Sequence, residues 1–571
     1  MRLQISKSKN AASFYVTKSV YTKGKRTSKI VEKLGTYDEL IKKLEGKDPY
    51  EWANEYVAEL TRLEKEGKEP VVIKEYSPSK LIDKNVQRTY NGGYLFFQQI
   101  YYELGLNNIC KEISAKYKFA FDLNSILSRL IYGRIIYPAS KLATSQLAAK
   151  FIEKPNFELQ HIYRALEVIS KEANYIQSEL YNNSLKISKR NTGILYYDCT
   201  NFFFEVEQEE GLKQYGVSKE HRPNPIVQMG LFMDGDGIPL AFNINKGNTN
   251  EQITLKPLEE QILSDFNLSK FIVCTDAGLA SNENRNFNNI DKRSFITTQS
   301  IKKLKKHLKE WALDPSGWHL ANNLKTYDIN ELDESIDKEK IFYKERWIKE
   351  NDLEQKLIVT YSMKYKLYQR TIRNSQIERA QKAIDTNPTK LKKNNPNDFK
   401  RFIEKTNCTS EGEIAKKEIL SINAELIEKE EAFDGFYAVC TNLDDDASEI
   451  IKVNNRRWEI EESFRIMKSE FKARPVYLSK DDRVQAHFTT CFISLMIFRL
   501  LEKRLNEKYT CCEIINGLRD MNFYEIIGDG YIPTYKRNDF TDDLHEAFKF
   551  RTDYEIVSTQ QMKKIFKKTK N

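Results

Sequence analysis

Ile194-Leu195-Tyr196-Tyr197-Asp198-Cys199-Thr200-Asn201-Phe202-Phe203-Phe204 marks a change of texture in the chain. Before it, Gly93 to about Ser188 has helical periodicity throughout, with rows such as Leu95, Phe96, Ile100, Leu104 and Ile126, Leu127, Leu130, Ile131, Ile135. From Gly193 the chain turns β-rich, and Ile194–Asp198 reads as a strand with a carboxylate near its end. Val227–Phe232 and Pro239–Ile244 follow as two more strands. Asp234-Gly235-Asp236-Gly237 between them is a hairpin turn signal. A helix with Leu255, Leu258, Ile262 and Leu263 facing inward comes next. Phe271–Asp276 is then a buried-type strand ending in a second aspartate. A helix starting at Asn282 and a fifth strand, Phe295–Thr298, complete the run. The order β-β-β-α-β-α-β predicts an α/β fold with an RNase H-like core.

The closing helix of such a core is not adjacent in sequence. Ile301 to about Phe433 intervenes, with strands at Ile341–Trp347 and Lys356–Tyr361, a helix near Tyr368–Ile384, and the polar stretch Asn387–Asp398. That is too long for a loop, so a β-containing insertion domain is expected. Gly435–Cys440 is the last strand. Beyond it, Arg456–Phe471 has no Gly or Pro and reads as one helix. Ile460, Phe464, Met467 and Phe471 make its apolar stripe. Arg457, Glu461 and Lys468 form a second row, displaced by roughly 70° at about 100° per residue. Taken alone, that row is an ordinary solvated charged face. Glu462 points about 100° away from Glu461 and reads as surface.

Asp198, Asp276 and Glu461 change its meaning. Two-metal phosphodiester chemistry needs carboxylates from separate elements converging on ions roughly 3.5–4 Å apart. Hard oxygen donors without sulfur suit two Mg²⁺ (or Mn²⁺) ions. Eight scattered cysteines with no CxxC, and six histidines not grouped with them, argue against zinc and against a disulfide framework.

Arg457-Trp458-Glu459-Ile460-Glu461, followed by Phe464-Arg465 and Lys468, resembles the tyrosine–arginine–glutamate–lysine signature of bacterial DDE transposases of the insertion-sequence "four" superfamily. Tyr197-Asp198-Cys199-Thr200 and Thr275-Asp276-Ala277-Gly278 resemble the blocks around its two aspartates. Gly247–Glu251 and the run Glu461–Tyr477 continuing to Ala486-His487-Phe488 are similar as well. The resemblance covers about Asn191–Lys503. It implies an RNase H-like core interrupted by an insertion, and a metal-binding triad of Asp198, Asp276 and Glu461. It implies phosphate contacts by Arg457 and Lys468, with Arg465 and Asn454 beside them on DNA. In relatives an aromatic of the insertion can stack on a flipped base; of Trp318 and Trp347 the latter, within Arg346-Trp347-Ile348, is the better candidate, against the commoner role of a core or strand-packing tryptophan. One departure is visible: the signature tyrosine belongs three residues before Arg457, where this chain has Asn454.

The remaining sequence fits around that core. The 571 residues carry a net charge of +9, which is compatible with a nucleic-acid partner. Residues 1–30 hold eight lysines and arginines and no acidic residue. Expected divisions are 1–80, a basic hairpin and helix region for DNA binding; 81–190, an α-helical domain; 191–300, the first part of the core; 301–433, the insertion; 434–505, the second part of the core; and 506–571, a C-terminal region whose tail from Thr541 is charged and expected to be peripheral. No signal peptide is readable, and the apolar run near Cys491–Leu501 is too short and mixed to span a membrane. The chain is therefore expected to be a cytoplasmic, nucleoid-associated bacterial enzyme. It would cleave the ends of its mobile element and transfer the 3′-OH strand to target DNA, with double-stranded DNA (terminal inverted repeats and target) as partner and a homodimer in the synaptic complex. An RNase H-like nuclease without strand transfer, or a catalytically silent DNA-binding derivative, stays open as the alternative.

Overall fold

The computed structural model describes residues 1–8, 11–22, 25–44, 46–66, 76–290, 292–386, 397–408 and 414–571. They form two compact units, Met1–Val86 and Gln87–Asn571.

In the first unit β1 (Arg2–Ser8), β2 (Ala11–Thr22) and β3 (Lys25–Thr36) make an antiparallel sheet. α1 (Tyr37–Lys43) and α2 (Pro49–Glu66) follow. Thr36 starts α1 with a capping box: its hydroxyl accepts the Glu39 N–H while the Glu39 carboxylate accepts the Thr36 N–H. Phe14, Leu40 and Ala53 are the buried centre of this unit. Residues 23–24 and 67–75 of the expected basic hairpin and helix region, and 387–396 of the polar stretch, lie outside the described residues.

The second unit opens with β4 (Thr89–Asn91) and the helices α3 (Tyr94–Glu103), α4 (Leu106–Tyr117), α5 (Leu123–Ile136), α6 (Lys141–Leu147), α7 (Leu159–Lys171) and α8 (Ala173–Ile187). Then come β5 (Ile194–Phe203), β6 (Ile226–Asp234), β7 (Pro239–Lys246), α9 (Leu255–Asp265), β8 (Ile272–Thr275), α10 (Asn282–Phe287) and β9 (Ser294–Thr298). Their spatial order is β7-β6-β5-β8-β9. β5, β6 and β7 are antiparallel, while β8 and β9 run parallel to β5. β6 is buried at every position, which is why its sequence is an apolar run without alternation. At the β6–β7 turn Asp234 accepts the N–H groups of Asp236 (3.0 Å) and Ile238 (2.9 Å). Gly237 has φ +76°, and a Cβ there would strike Glu459.

The region 301–433 contains α11 (Lys306–Leu313), β10 (Trp318–Leu320), β11 (Asn323–Tyr327), α12 (Glu334–Asp337), β12 (Ile341–Glu350), β13 (Leu353–Ser362), α13 (Met363–Thr386), β14 (Ile403–Cys408), β15 (Ile414–Ile422) and α14 (Ala424–Glu431). It does not make a sheet of its own. β16 (Phe436–Thr441) pairs with β9 on one side and β13 on the other, so that β11-β10-β12-β13 prolong the core into a single ten-stranded sheet. Only β14 and β15 stand apart, as a two-stranded ribbon. Edge strands expose unpaired backbone groups, and β16 closes the one that β9 would otherwise present.

α15 (Ala447–Asn455), α16 (Trp458–Arg465) and α17 (Asp481–Arg504) follow. The helix expected over Arg456–Phe471 is interrupted at both ends. Arg456 and Arg457 form the turn between α15 and α16, and Ile466–Glu470 is a π-helical turn closed by the Phe471 N–H on the Ile466 carbonyl at 3.0 Å. Its apolar stripe is as expected: Ile460, Phe464, Met467 and Phe471 are all buried. α17 is, at 24 residues, long and apolar enough to cross a membrane by composition. It is instead the central helix of the main core, in contact with α3, α5, α7 and β7. Burial on all sides accounts for its all-round apolar character.

The C-terminal residues are not peripheral, contrary to the expectation from their charge. They form α18 (Cys511–Asp520), β17 (Asn522–Ile526), β18 (Gly530–Pro533), α19 (Asp539–Phe548), β19 (Val557–Ser558) and α20 (Thr559–Lys568). β17 pairs with β4, and Phe540, Leu544, Phe548, Met562 and Ile565 join the main core. The charges of α19 and α20 occupy only their outer faces; both helices bury an amphipathic inner face.

Candidate active site

β5 carries the first carboxylate. Tyr196, Asp198, Thr200 and Phe202 share one face, because side chains alternate along a strand. Tyr197 and Cys199 face the opposite way, into the layer under α9. On the first face Tyr196 donates to the Val453 carbonyl of α15 (2.8 Å) and Phe202 packs on Phe488 of α17. Asp198 lies between these two anchors.

β8 carries the second. It pairs in parallel with β5, the last paired residues being Tyr196 and Cys274. Asp276 follows β8 directly, two residues past that pair as Asp198 is on β5, and its charge acts on Asp198. The Asp276 carboxylate accepts the N–H groups of Gly278 (3.0 Å) and Leu279 (3.2 Å), which fixes it at the strand end. The Asp198 carboxylate accepts its neighbour's N–H at Cys199 (2.7 Å). Burial, with the Asp276 charge adding to it against the pull of Lys219, pushes the Asp198 carboxyl up to about 6.

Glu461 comes from α16. It is exposed and ion-pairs with Arg457 at 3.6 Å, and it lines one cleft with Asp198, Lys219, Phe464, Lys468 and Arg474. α16 is held from below by Arg499 of α17, which donates to the Ser463 hydroxyl (2.8 Å) and the Glu459 carbonyl (3.3 Å). Arg499 therefore positions the helix that carries Glu461.

The cations divide into those the sequence pointed to and those it did not. Lys468, on the π turn, lies over the Phe202 ring and 3.5 Å from Glu220. Burial and the nearby Lys219 pull its ammonium down to about 8. Arg457 faces Glu461 and also acts on Asp198. Arg465 lines the cleft rim and pairs with Glu462 (3.1 Å). Lys219 was not foreseen. It sits in the long β5–β6 connection, donates to the Cys199 carbonyl (2.5 Å) and pairs with Glu251 (3.0 Å). Burial pulls its ammonium down, but Asp198 and Glu251 together hold it above the usual lysine value. Its loop is crowded with charges, and the only local sign is the Asn201 side chain that accepts the Lys219 N–H (3.3 Å).

Other residues singled out in the sequence lie elsewhere. Asn454 is buried on α15 with its amide donating to the Tyr437 hydroxyl (3.2 Å). It lines a neighbouring pocket with Arg457, Trp458, Tyr365 and Glu461, not the cleft of Asp198. Trp318 is fully buried, its indole N–H donating to the Asp314 carbonyl. Trp347 is half-exposed on β12, six residues or about 20 Å along the strand from Ile341 at that pocket. The structure does not bring it to the carboxylates. His487 is buried against the Ala473 carbonyl (3.1 Å).

Asp198 lies in the middle of β5, which runs on to Phe203, and not near the strand's end as expected; oxygen donors from there, from the end of β8 and from a helix are a set that fits hard divalent cations. As placed, no group of three such side chains among the described residues is poised around an ion, because Glu461 is turned toward Arg457. Asp198 and Asp276, whose charges act on each other, are the residues of the set that could hold a divalent ion, with Lys219 and Arg457 offsetting part of their charge.

The sequence model for the family described as transposase DDE domain matches residues 201–497, just over half of the 571. The match includes Asp276, Arg457, Glu461 and Lys468 and begins three residues after Asp198. No curated protein matches the chain. Among solved structures, a piggyBac transposase synaptic complex with hairpin DNA, determined by cryo-EM, is similar over 75% of this chain and 78% of that one, at 8% identity and a TM-score of 0.36. That score is too low for the likeness to bear on fold or function.

Proposed function

From the premise that the chain belongs to the transposase DDE-domain family, and so is a DNA transposase, we propose that Asp198, Asp276 and Glu461 are the carboxylates at which it cuts the ends of its element and joins the freed 3′-OH to target DNA. What supports this reading is the parallel β5–β8 pairing through Tyr196 and Cys274, two residues before Asp198 and Asp276, together with the cleft that Glu461 shares with Asp198. The order β7-β6-β5-β8-β9 supports reading the core as RNase H-like. The family uses divalent ions; two Mg²⁺ or Mn²⁺ held by these side chains would activate the attacking oxygen and stabilise the leaving one.

The chain's own groups do the rest. Arg457 offers a planar fork to phosphate oxygens, and Lys468 and Lys219 offer compact charges. Binding of DNA draws Arg457 away from Glu461 and frees that carboxylate for the metal. Arg465 holds the backbone at the cleft rim. Asn454 acts through Tyr437: the phenol that the signature tyrosine would supply is brought to the neighbouring pocket from β16 instead. Trp347 is an outlying DNA contact and not a base-stacking group at the cleavage point. The basic first unit recognises the terminal repeats, two protomers synapse the two ends, and the enzyme works on the nucleoid in a bacterial cytoplasm, as the insertion-sequence "four" signature implies.

The test is cleavage of end-containing DNA with Mg²⁺. Asp198→Ala, Asp276→Ala and Glu461→Ala each abolish cleavage and leave DNA binding within a few-fold. If any of the three cleaves like the wild type, the triad is wrong.

A further inference from the structure

Next to the cleavage cleft, α5, α6 and the segment after the π turn enclose a second, strongly cationic pocket. Arg134, Lys141, Lys472, Arg474 and His487 line it, and no aspartate or glutamate does. Lys141 is 95% buried, its relative exposure being 5%, and among the described residues its ammonium makes no hydrogen bond. Arg134 is equally buried. Its guanidinium donates to the Phe471 carbonyl (3.0 Å) and weakly to that of Ala139 (3.3 Å), and its Nε has no partner. An ammonium taken out of water without a counter-charge is expensive, by several kcal/mol, and the cost is met either by loss of its proton or by an anion that the pocket receives. Burial and Arg134 pull the Lys141 ammonium down to about 7. His487, which shares the pocket, is held neutral by burial and by the same two cations. Cys491, the other titratable group here, is a buried thiol whose pKa is raised.

The cavity measures about 210 Å³, several times the roughly 30 Å³ that a water molecule occupies in the liquid, so a tetrahedral anion fits. Its rim identifies the source. Lys472 and Tyr477 are exposed there, and Arg474 lines both this pocket and the cleft of Asp198, Glu461 and Lys468. A polyanion leaving that cleft past Arg474 reaches the pocket that Lys141 lines. A positive rim with an exposed aromatic suits a nucleic-acid strand.

We propose that the Arg134–Lys141 pocket binds a backbone phosphate of the DNA, on the strand that runs from the cleavage cleft past Arg474. This rests on the reading that DNA occupies that cleft, and it adds an anchoring point outside the triad. Occupation of the pocket would fix the register of the strand relative to Asp198 and Asp276.

The experiment is DNA binding by the full chain, using duplex taken from the flanks of its gene, measured across a salt series. Lys141→Met loses one phosphate contact, so the slope of log K against log salt falls by about 0.9. Methylphosphonate substitution, placed one position at a time, weakens the wild type at a position to which Lys141→Met is indifferent. Lys141→Gln serves in parallel should the methionine variant be unstable, and melting temperatures of both are checked. An unchanged slope together with an unchanged methylphosphonate profile overturns the proposal. If inorganic phosphate raises the melting temperature of the wild type but not of Lys141→Met while DNA binding is the same for both, the pocket takes a free anion and the DNA assignment is overturned. Wild-type protein that binds no end DNA at all would defeat the functional reading itself, a result distinct from either.

Discussion

Two aspartates on neighbouring strands show how differently one residue type is used. Asp234, at the end of β6 opposite Leu195, is fully buried against Arg190. It accepts two backbone N–H groups, and Arg190 donates in turn to the Ser184 hydroxyl (2.7 Å) and to the carbonyls of Ile238 (3.1 Å) and Pro239 (3.0 Å). Asp198, opposite Leu231 on the same strand pair, is half-buried and faces a like charge. It has one backbone donor among the contacts described above. Burial raises both carboxyls. At Asp234 the protein itself supplies every compensating group, and the result is a rigid hairpin corner. At Asp198 it leaves the compensation incomplete, and the result is a site that a cation and a phosphate can complete.

The contrast can be broken at its stable end first. Arg190→Met leaves Asp234 buried and unpaired, and should lower unfolding free energy by about 3–5 kcal/mol in a urea titration; a change under 1 kcal/mol would make Asp234 no more structural than Asp198. Next is the response to metal. Saturating Mg²⁺ should stabilise the wild type, by about 2.7 kcal/mol when the ion is a hundredfold above its Kd, and should leave Asp198→Asn unmoved in a thermal melt.

The third prediction concerns sign. In metal-free protein Asp198→Asn should be neutral or stabilising at pH 7, whereas Asp234→Asn should destabilise, because it leaves Arg190 unpaired. The pH dependence follows from the same raised carboxyl. Folded Asp198 takes up its proton near pH 6, while the unfolded chain does so only near about 3.9. Below pH 6 the folded state therefore holds more protons, and this group's contribution to stability rises as pH falls from 7 toward 4. Asp198→Asn should remove that rise, as read by unfolding at pH 7 and pH 5. The smallest effect expected is at Tyr437→Phe, which takes away the acceptor for Asn454 at about 1 kcal/mol. A larger loss in cleavage than in stability would show that the phenol works on DNA as well.

The strands β5 to β9 are legible in the sequence because burial on both faces writes continuous apolar runs, and because Asp234–Gly237 announces its turn. Asp198, Asp276 and Glu461 stand out in the sequence through the three blocks that resemble the family's, and not through a common position on their elements: Asp198 is in mid-β5, Asp276 follows β8 and Glu461 is inside α16. What escapes is settled by packing between distant segments. Nothing near Ile466 signals a π turn, since the extra residue is accommodated by the contacts of Met467 and Phe471. Lys219 resembles its charged neighbours until the fold carries it to Asp198. The pairing of β16 with both β9 and β13 is a choice of edge that no local pattern contains. α19 and α20 look like a polar tail because their lysines and acids outnumber Phe540, Leu544, Phe548 and Ile565, yet those four decide where the helices go.

α17 has a consequence for how the molecule can be taken apart. It touches the helices drawn from residues 94–187, the strand β7 and the elements that carry Glu461, and the segment after it folds back onto the same centre. It works as a spindle on which three stretches of chain are threaded, and none of them can be withdrawn without exposing its apolar surface. A break within Gln87–Asn571 would therefore cost the whole unit its core, whereas one between Val86 and Gln87 falls between two compact units.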